Sequence, residues 1–181
     1  ASFLFSLFDK IHVQEKETFE ILAKIGIENQ KLTVTGSLKD SRKKLIFDEE
    51  NFKQFSKSAN GQSVWLAACT HPGEDAVVLA AHKKIGGILL IAPRHIDRGR
   101  HIVRLSRSNG FSTQLRSEKR ELEKNTEVYV ADTMGEMGLW YSLSEVAFVG
   151  GSLVEKGGHN PIEAAQFGTF VLHGPNIFNA K

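Results

Sequence analysis

From residue 63 onward the chain alternates between short runs that are apolar throughout and longer segments whose apolar residues recur at helical spacing. The runs at 63–68, 87–92, 111–115, 127–131, 146–149 and 169–172 have strand length, and 73–84, 99–109, 135–143 and 161–167 carry the helical pattern. Strands that are apolar on both faces and separated by helices predict a parallel, doubly wound α/β sheet covered on each side. The polar stretch 116–125 predicts a loop. Before residue 40 the pattern is shorter: an apolar helix-like start at 2–8, a strand at 10–14, an amphipathic helix at 15–25 with Phe19, Leu22 and Ala23 on one face, and a strand at 32–35. Gly26 and Gly36 punctuate these elements, which read as the last βαβ unit of another sheet. The charged segment 42–60 contains no proline and ends at Asn60-Gly61, so it predicts a linker helix. The expected organisation is the tail of an N-terminal domain at 1–40, a linker helix at 41–61, and a C-terminal domain at 62–181 that stops before its next helix. On this pattern the chain is a piece of something longer.

One stretch concentrates the polar chemistry. After the apolar run 145–149 come Gly150-Gly151, Gly157-Gly158 and then Asn160-Pro161-Ile162-Glu163. Asn160 is a preferred N-cap, Pro161 suits a first helical turn, and Glu163 stands where a capping box places an acid. Helix N–H groups facing a glycine loop favour an anion, so the stretch predicts a grip for phosphate and ribose, with Gly150, Gly151 and Gly158 as possible contacts. Glu163 turned toward a ribose would accept from two hydroxyls, as acidic residues do in nucleotide-binding α/β folds. The competing reading is a well-capped helix after a loop.

Ligands of such sheets bind at the carboxyl ends of the strands, and the polar clusters fall there. They are Thr70-His71-Pro72-Gly73-Glu74, Pro93-Arg94-His95, Asp132-Thr133-Met134-Gly135-Glu136 and the glycine stretch. His71 is equally suited to a phosphate and to a capping or packing role.

Composition narrows the field. With 181 residues, 41% hydrophobic and 24% charged, the chain has the make-up of an ordinary globular protein. A net charge of +2 does not advertise nucleic-acid binding, and none is expected. Arg94, His95, Arg98, Arg100, His101, Arg104 and Arg107 form a basic segment, read as a solvated helix face except for Arg94. Cys69 is the single cysteine and follows an apolar run, which suits a buried small hydrophobe rather than a nucleophile. The seven histidines show no metal-ligand spacing, so no metal site is expected. No apolar run approaches the roughly 20 residues that span a bilayer.

Five motifs taken together resemble bacterial 3-deoxy-D-manno-octulosonic acid (Kdo) transferases. They are Val34-Thr35-Gly36-Ser37-Leu38-Lys39, the segment from Trp65 to Glu74, Ile91-Ala92-Pro93-Arg94-His95, Asp132 to Glu136, and Phe148 through Glu163, in the same order and rough spacing. Cys69 departs from the serine usual there. The resemblance implies a GT-B architecture of two Rossmann-like domains, of which this chain would hold a remnant of the first and most of the second. It implies transfer of Kdo from CMP-Kdo to lipid A precursor in lipopolysaccharide biosynthesis, with inversion and without a metal or cofactor. The parent protein would work at the cytoplasmic face of the inner membrane, this part being soluble. By resemblance CMP lies against Pro93, Arg94, Met134, Gly135, Glu136, Asn160, Pro161, Ile162 and Glu163. The same resemblance implies that Lys39 stabilises the transition state and that the general base is a glutamate in the N-terminal domain, which this chain would not contain. Two other readings fit the glycine stretch alone: a GT-B glycosyltransferase using a uridine nucleotide sugar, and a non-catalytic nucleotide-binding module.

Overall fold

The structure, a computed structural model, describes residues 2–36 and 44–179. Lys39 and the boundary expected near residue 40 lie outside the described residues. The chain divides into two compact units, Ala1–Lys43 and Lys44–Lys181.

In the first unit, α1 (Ser2–Ser6), β1 (Ile11–Val13), α2 (Lys16–Lys24) and β2 (Leu32–Val34) follow in order. β1 and β2 pair in parallel with Ile11 opposite Leu32, so α2 is the crossover of a βαβ unit. Val13, Leu22, Ile27 and Leu32 form its small core. Of the apolar start of the chain only Phe5 packs against that core among the described residues; Phe3, Leu4, Leu7 and Phe8 are all more than half exposed.

The second unit holds α3 (Glu49–Ala59), β3 (Val64–Thr70), α4 (Glu74–Ile85), β4 (Ile88–Pro93), α5 (Gly99–Ser108), β5 (Thr113–Leu115), β6 (Val128–Val130), α6 (Met137–Leu143), β7 (Val146–Val149), α7 (Ile162–Ala165) and β8 (Phe170–His173). Six strands form one parallel sheet in the order β5-β6-β4-β3-β7-β8. Successive residues of each strand point to opposite faces, and the core divides accordingly. Leu66, Ala68, Leu90 and Tyr129 pack with Phe55 of α3 and Leu139 and Trp140 of α6. Ala67, Leu89, Ile91 and Val130 pack with Val78 and Leu79 of α4 and Ile102 and Val103 of α5. Both faces are covered, which is why the strands are apolar throughout.

The segment expected as a linker helix is different in kind. Asp48 caps α3 by accepting from the backbone of Glu50 at 2.8 Å, and Asn60 ends it in the left-handed conformation. Phe55, only 3% exposed, meets Tyr129 and Trp140 edge-on at ring centroid distances of 5.2 and 5.9 Å. A helix that carries an aromatic core residue is part of the domain it covers, so α3 belongs to the second unit. The charged residues around Phe55 hide that residue's role in the pattern.

β3 is the pivot of the sheet, with β4 on one side and β7 on the other. The crossover out of β3 runs one way and the strand entered after β6 lies on the opposite side, which makes the carboxyl ends of β3 and β7 the switch point where such sheets bind ligands. There β3 is irregular. Ala68 pairs with Ala92 and Thr70 with Pro93, leaving Cys69 as an extra residue with φ of 54°. A non-glycine residue in the left-handed region on a bulge re-aims the backbone of the switch point.

Candidate functional site

The loop from Gly150 to Asn160 starts at the end of β7 and folds around a carboxylate of its own chain. Glu74, in the first turn of α4, is fully buried. Its Oε2 accepts from the backbone N–H of His71 and of Gly151, each at 2.8 Å. Its Oε1 accepts from Ser152 at 3.1 Å and from Leu153 at 3.0 Å. Consecutive N–H groups converging on an anion are the geometry expected for a phosphate, but here the anion is Glu74. The rest of the loop closes on itself: Gly158 donates to the carbonyl of Gly151 and His159 to that of Gly150. At Gly150 a Cβ would stand 2.6 Å from the Cys69 carbonyl oxygen and 2.8 Å from Glu74 Oε2, so glycine is needed there for close packing. Gly157 and Gly158 likewise admit residues 176–179 of the same chain. These glycines thus pack the protein closely against itself, and the N–H of Gly151 is engaged by Glu74.

The helix after the loop is also smaller than the pattern predicts. α7 spans Ile162–Ala165, one turn, rather than 161–167. Pro161 stands at its N-cap, and Asn160 just before it accepts at Oδ1 from the Ile162 N–H at 2.9 Å. A single turn sums few peptide dipoles, so the field offered to an anion is weaker than that of a full helix. Glu163 lies near the end of β3, where its charge adds to burial in raising the Cys69 thiol to about 11. Cys69 is thus a protonated thiol at neutral pH, which fits a packing role.

Beside the closed loop stand groups that remain available. Arg94, directly after β4, is exposed; its backbone N–H donates to the Thr70 carbonyl, and among the described residues its guanidinium has no hydrogen-bond or ion-pair partner. Its charge is felt by Cys69 and by His159, placing it at the switch point. His71 and His159 face each other with their Nε2 atoms 2.8 Å apart, and His95 sits edge-on to His71 at 6.0 Å. Burial, then the nearby cations, hold His71 and His159 below the ordinary histidine range, against the opposing pull of Glu74. Pro93 is buried at the end of β4.

The cluster after β6 lies further along the same edge, beyond β4. Met134 is 73% exposed, and Gly135 turns with φ of 83° before α6 begins at Met137. Glu136, expected among the nucleotide contacts, has its carboxylate engaged. Arg116 grips it with Nε at 3.1 Å and Nη2 at 2.5 Å, and the Thr133 hydroxyl donates to it. Burial opposes ionisation of Glu136, yet these donors prevail and hold it below the usual carboxylate range. Among the described residues, no hydrogen bond or ion pair joins this cluster to Arg94 or to the histidines.

Sequence reasoning missed the residues that build the edge from within. Glu74 reads as a first-turn acid, and its acceptor role depends on partners up to 79 residues away. Arg116, 2% exposed at the start of the loop expected to be polar, also donates to the Arg120 carbonyl and the Tyr129 hydroxyl and lies over Trp140. Arg98 is not on the solvated face of the basic run: it pairs with Asp75, which holds the Thr70 hydroxyl, and donates to the Thr70 carbonyl at 2.7 Å. Arg100, His101, Arg104 and Arg107 are exposed as expected. Among the described residues no cluster of three or more His, Cys, Asp or Glu side chains could hold a metal ion, and no helix is long and apolar enough to cross a membrane.

A parallel, doubly wound sheet with an arginine and paired histidines at its switch point defines a Rossmann-like α/β domain of GT-B type. No protein-family model matches the chain. The 3-deoxy-D-manno-octulosonic acid transferase of Haemophilus influenzae is 33% identical over 97% of this chain and 43% of its own length, and that of Rickettsia felis 29% identical over 94% and 37%. Among solved structures, the C-terminal CMP-Kdo binding domain of WaaA from Acinetobacter baumannii superposes with a TM-score of 0.66 at 32% identity, covering 73% of this chain and 74% of that one. The chain belongs to the 3-deoxy-D-manno-octulosonic acid transferase family. It spans less than half the length of these two curated relatives.

Proposed function

We propose that this chain is the donor-binding part of a Kdo transferase, holding CMP-Kdo while the whole enzyme passes Kdo to a lipid A precursor at the cytoplasmic face of the bacterial inner membrane. The observation that carries the reading is the 32% identical match, over 73% of the chain, to a domain described as CMP-Kdo binding. The chemistry is consistent with it. When the glycosidic bond breaks, negative charge builds on the departing phosphate, and preorganised donors at that position lower the barrier. Arg94, whose guanidinium has no partner among the described residues, suits that role, with Lys39 a second by resemblance.

Glu163 would hold the ribose, and the exposed turn at Met134 and Gly135 would offer backbone groups to the cytosine. Pro93, Asn160, Pro161 and Ile162 line the nucleotide through backbone and shape, and Glu136 contributes by fixing its turn through Arg116. The general base belongs to the N-terminal domain, so this chain alone should not transfer sugar; loss of a general base typically removes about 10²–10⁴-fold in rate.

Calorimetric titration with CMP, UMP and UDP tests the reading. Preference for CMP is the expected result. Preference for a uridine nucleotide would reassign the chain to another GT-B donor class, and no binding of any nucleotide would overturn the donor-binding reading.

A further inference from the structure

The histidines His71 and His159, 88 residues apart in sequence, meet nitrogen to nitrogen with Nε2 atoms 2.8 Å apart and ring planes within 5° of each other. At that separation one nitrogen donates and the other accepts, so a single proton lies between them. The neutral pair satisfies this, and so does a pair with one added proton on the outer nitrogen of the donating ring. A doubly charged pair would set two N–H groups head to head. The geometry thus admits one net positive charge and excludes two.

The surroundings decide when that charge is present. Glu74 on α4, His95 and Arg94 after β4, Arg98 before α5 and Lys156 on the glycine loop act on the pair. Glu74 is the one acid among them, and its carboxylate already accepts four backbone N–H groups. An empty crevice therefore disfavours a further cation, and an anion entering beside Arg94 reverses that field.

We propose that the His71–His159 pair is an anion-binding element of the donor site and takes up one proton as the phosphate of the nucleotide binds. This rests on the reading of the edge as a CMP site, and it assigns His159 a role the sequence did not suggest. A cation formed only on binding spares the empty site the repulsion of another positive charge next to Arg94.

The test is calorimetry of the chain at pH 7 in two buffers of different ionisation enthalpy. The ligand is cytidine 5′-methylphosphate, a phosphodiester that does not itself titrate near neutrality, with cytidine as the anion-free control. The expected result is uptake of about half to one proton with the methylphosphate and about none with cytidine. Affinity for the methylphosphate should rise as pH falls from about 8 to about 6, by at most about tenfold per unit. His71→Gln and His159→Gln, each checked for an intact melting transition, should abolish the uptake, and His95→Gln should retain it. Binding without proton exchange would overturn the pair's role and leave the donor-site reading standing. Uptake that survives both pair variants, or is lost only in His95→Gln, would overturn it in favour of another group. Absence of any binding by the folded chain would remove both readings together.

Discussion

After β7 the backbone donors of Gly151, Ser152 and Leu153 converge on the buried carboxylate of Glu74, whereas after β6 the turn at Met134 and Gly135 faces open space, with no described atom within 4 Å of a Cβ placed on Gly135. The two loops close the same edge of the same sheet, and in sequence the glycine-rich one is the better phosphate cradle. In the structure it is the less available one. Glycine density records how closely the backbone must approach something, and here the something is the protein. Arg94, whose guanidinium has no partner among the described residues, and the exposed turn at Met134 and Gly135 are not closed in this way.

The largest test of this contrast removes the carboxylate that fills the closed loop. Glu74→Ala would leave four buried N–H donors without their acceptor. Losing a buried charged partner costs about 3–5 kcal/mol, and urea unfolding should show a loss in that range. Met134→Ala, at an exposed position, should stay within about 0.5 kcal/mol. Equal and small effects for the two would dissolve the distinction between a closed and an open loop.

The next effect is steric. Gly150→Ala drives a methyl to 2.6 Å from the Cys69 carbonyl, where the neighbour is backbone and cannot swing away. Overpacking of that kind costs about 1–3 kcal/mol, and the upper end is expected. Gly135→Ala meets no described atom and carries only the strain of an alanine at φ of 83°, about 1 kcal/mol. Melting curves of the two variants, read side by side, check the order.

Binding should invert that ranking. Arg94→Ala removes an exposed cation without a described partner, so stability should change by less than about 0.5 kcal/mol. CMP affinity should nevertheless fall about tenfold or more, with cytidine little affected, because a charged hydrogen bond to phosphate is lost. Glu163→Gln should weaken CMP and cytidine alike if its carboxylate holds the ribose. Unchanged affinity for both would return Glu163 to a capping role.

The sheet was legible in the sequence because continuous apolar runs with helices between them have few other solutions. Its strand order was not. β5 and β6 are three residues each, and no local signal says that β6, not β5, lies beside β4. The contribution of α3 was concealed because one buried aromatic, Phe55, anchors a helix whose composition is that of a connector. The position of Arg94 was readable, in a polar cluster directly after a strand. Glu74 and the His71–His159 pair were not, since apart from the local His71 N–H their partners lie 77 to 88 residues apart and only the fold brings them together. A buried acid filling its own chain's nest leaves the same local signature as a first-turn acid at any helix.

The smallest expected effect concerns pH, and it separates the open edge from the interior. His71 and His159 at the edge and His82 in the interior are all held below the ordinary value of 6.5, in each case chiefly by burial. His82 is 2% exposed, and its Nδ1 accepts from the Trp65 indole at 3.2 Å, so its neutral form is built into the core. A group whose folded value is depressed contributes stability in full above its unfolded value. As pH falls below 6.5 the unfolded chain binds protons that the folded chain refuses, and stability declines until the depressed folded values are reached. Each proton in excess is worth at most about 1.4 kcal/mol per pH unit, and the partly solvated edge pair should deliver less than that ceiling. The same sign rule runs the other way for Cys69, whose thiol is raised from 9.0 to about 11, so stability should fall again as pH rises through that interval. Saturating cytidine 5′-methylphosphate should flatten the acid slope by at most half of the share that belongs to His71 and His159, because the bound pair accepts one proton where the unfolded chain accepts two, while the share of His82 should persist and disappear only in His82→Gln. Melting temperatures recorded from pH 7.5 to 5.5 with and without ligand measure both parts, and a slope that the ligand leaves unchanged would place all of the titration in the interior.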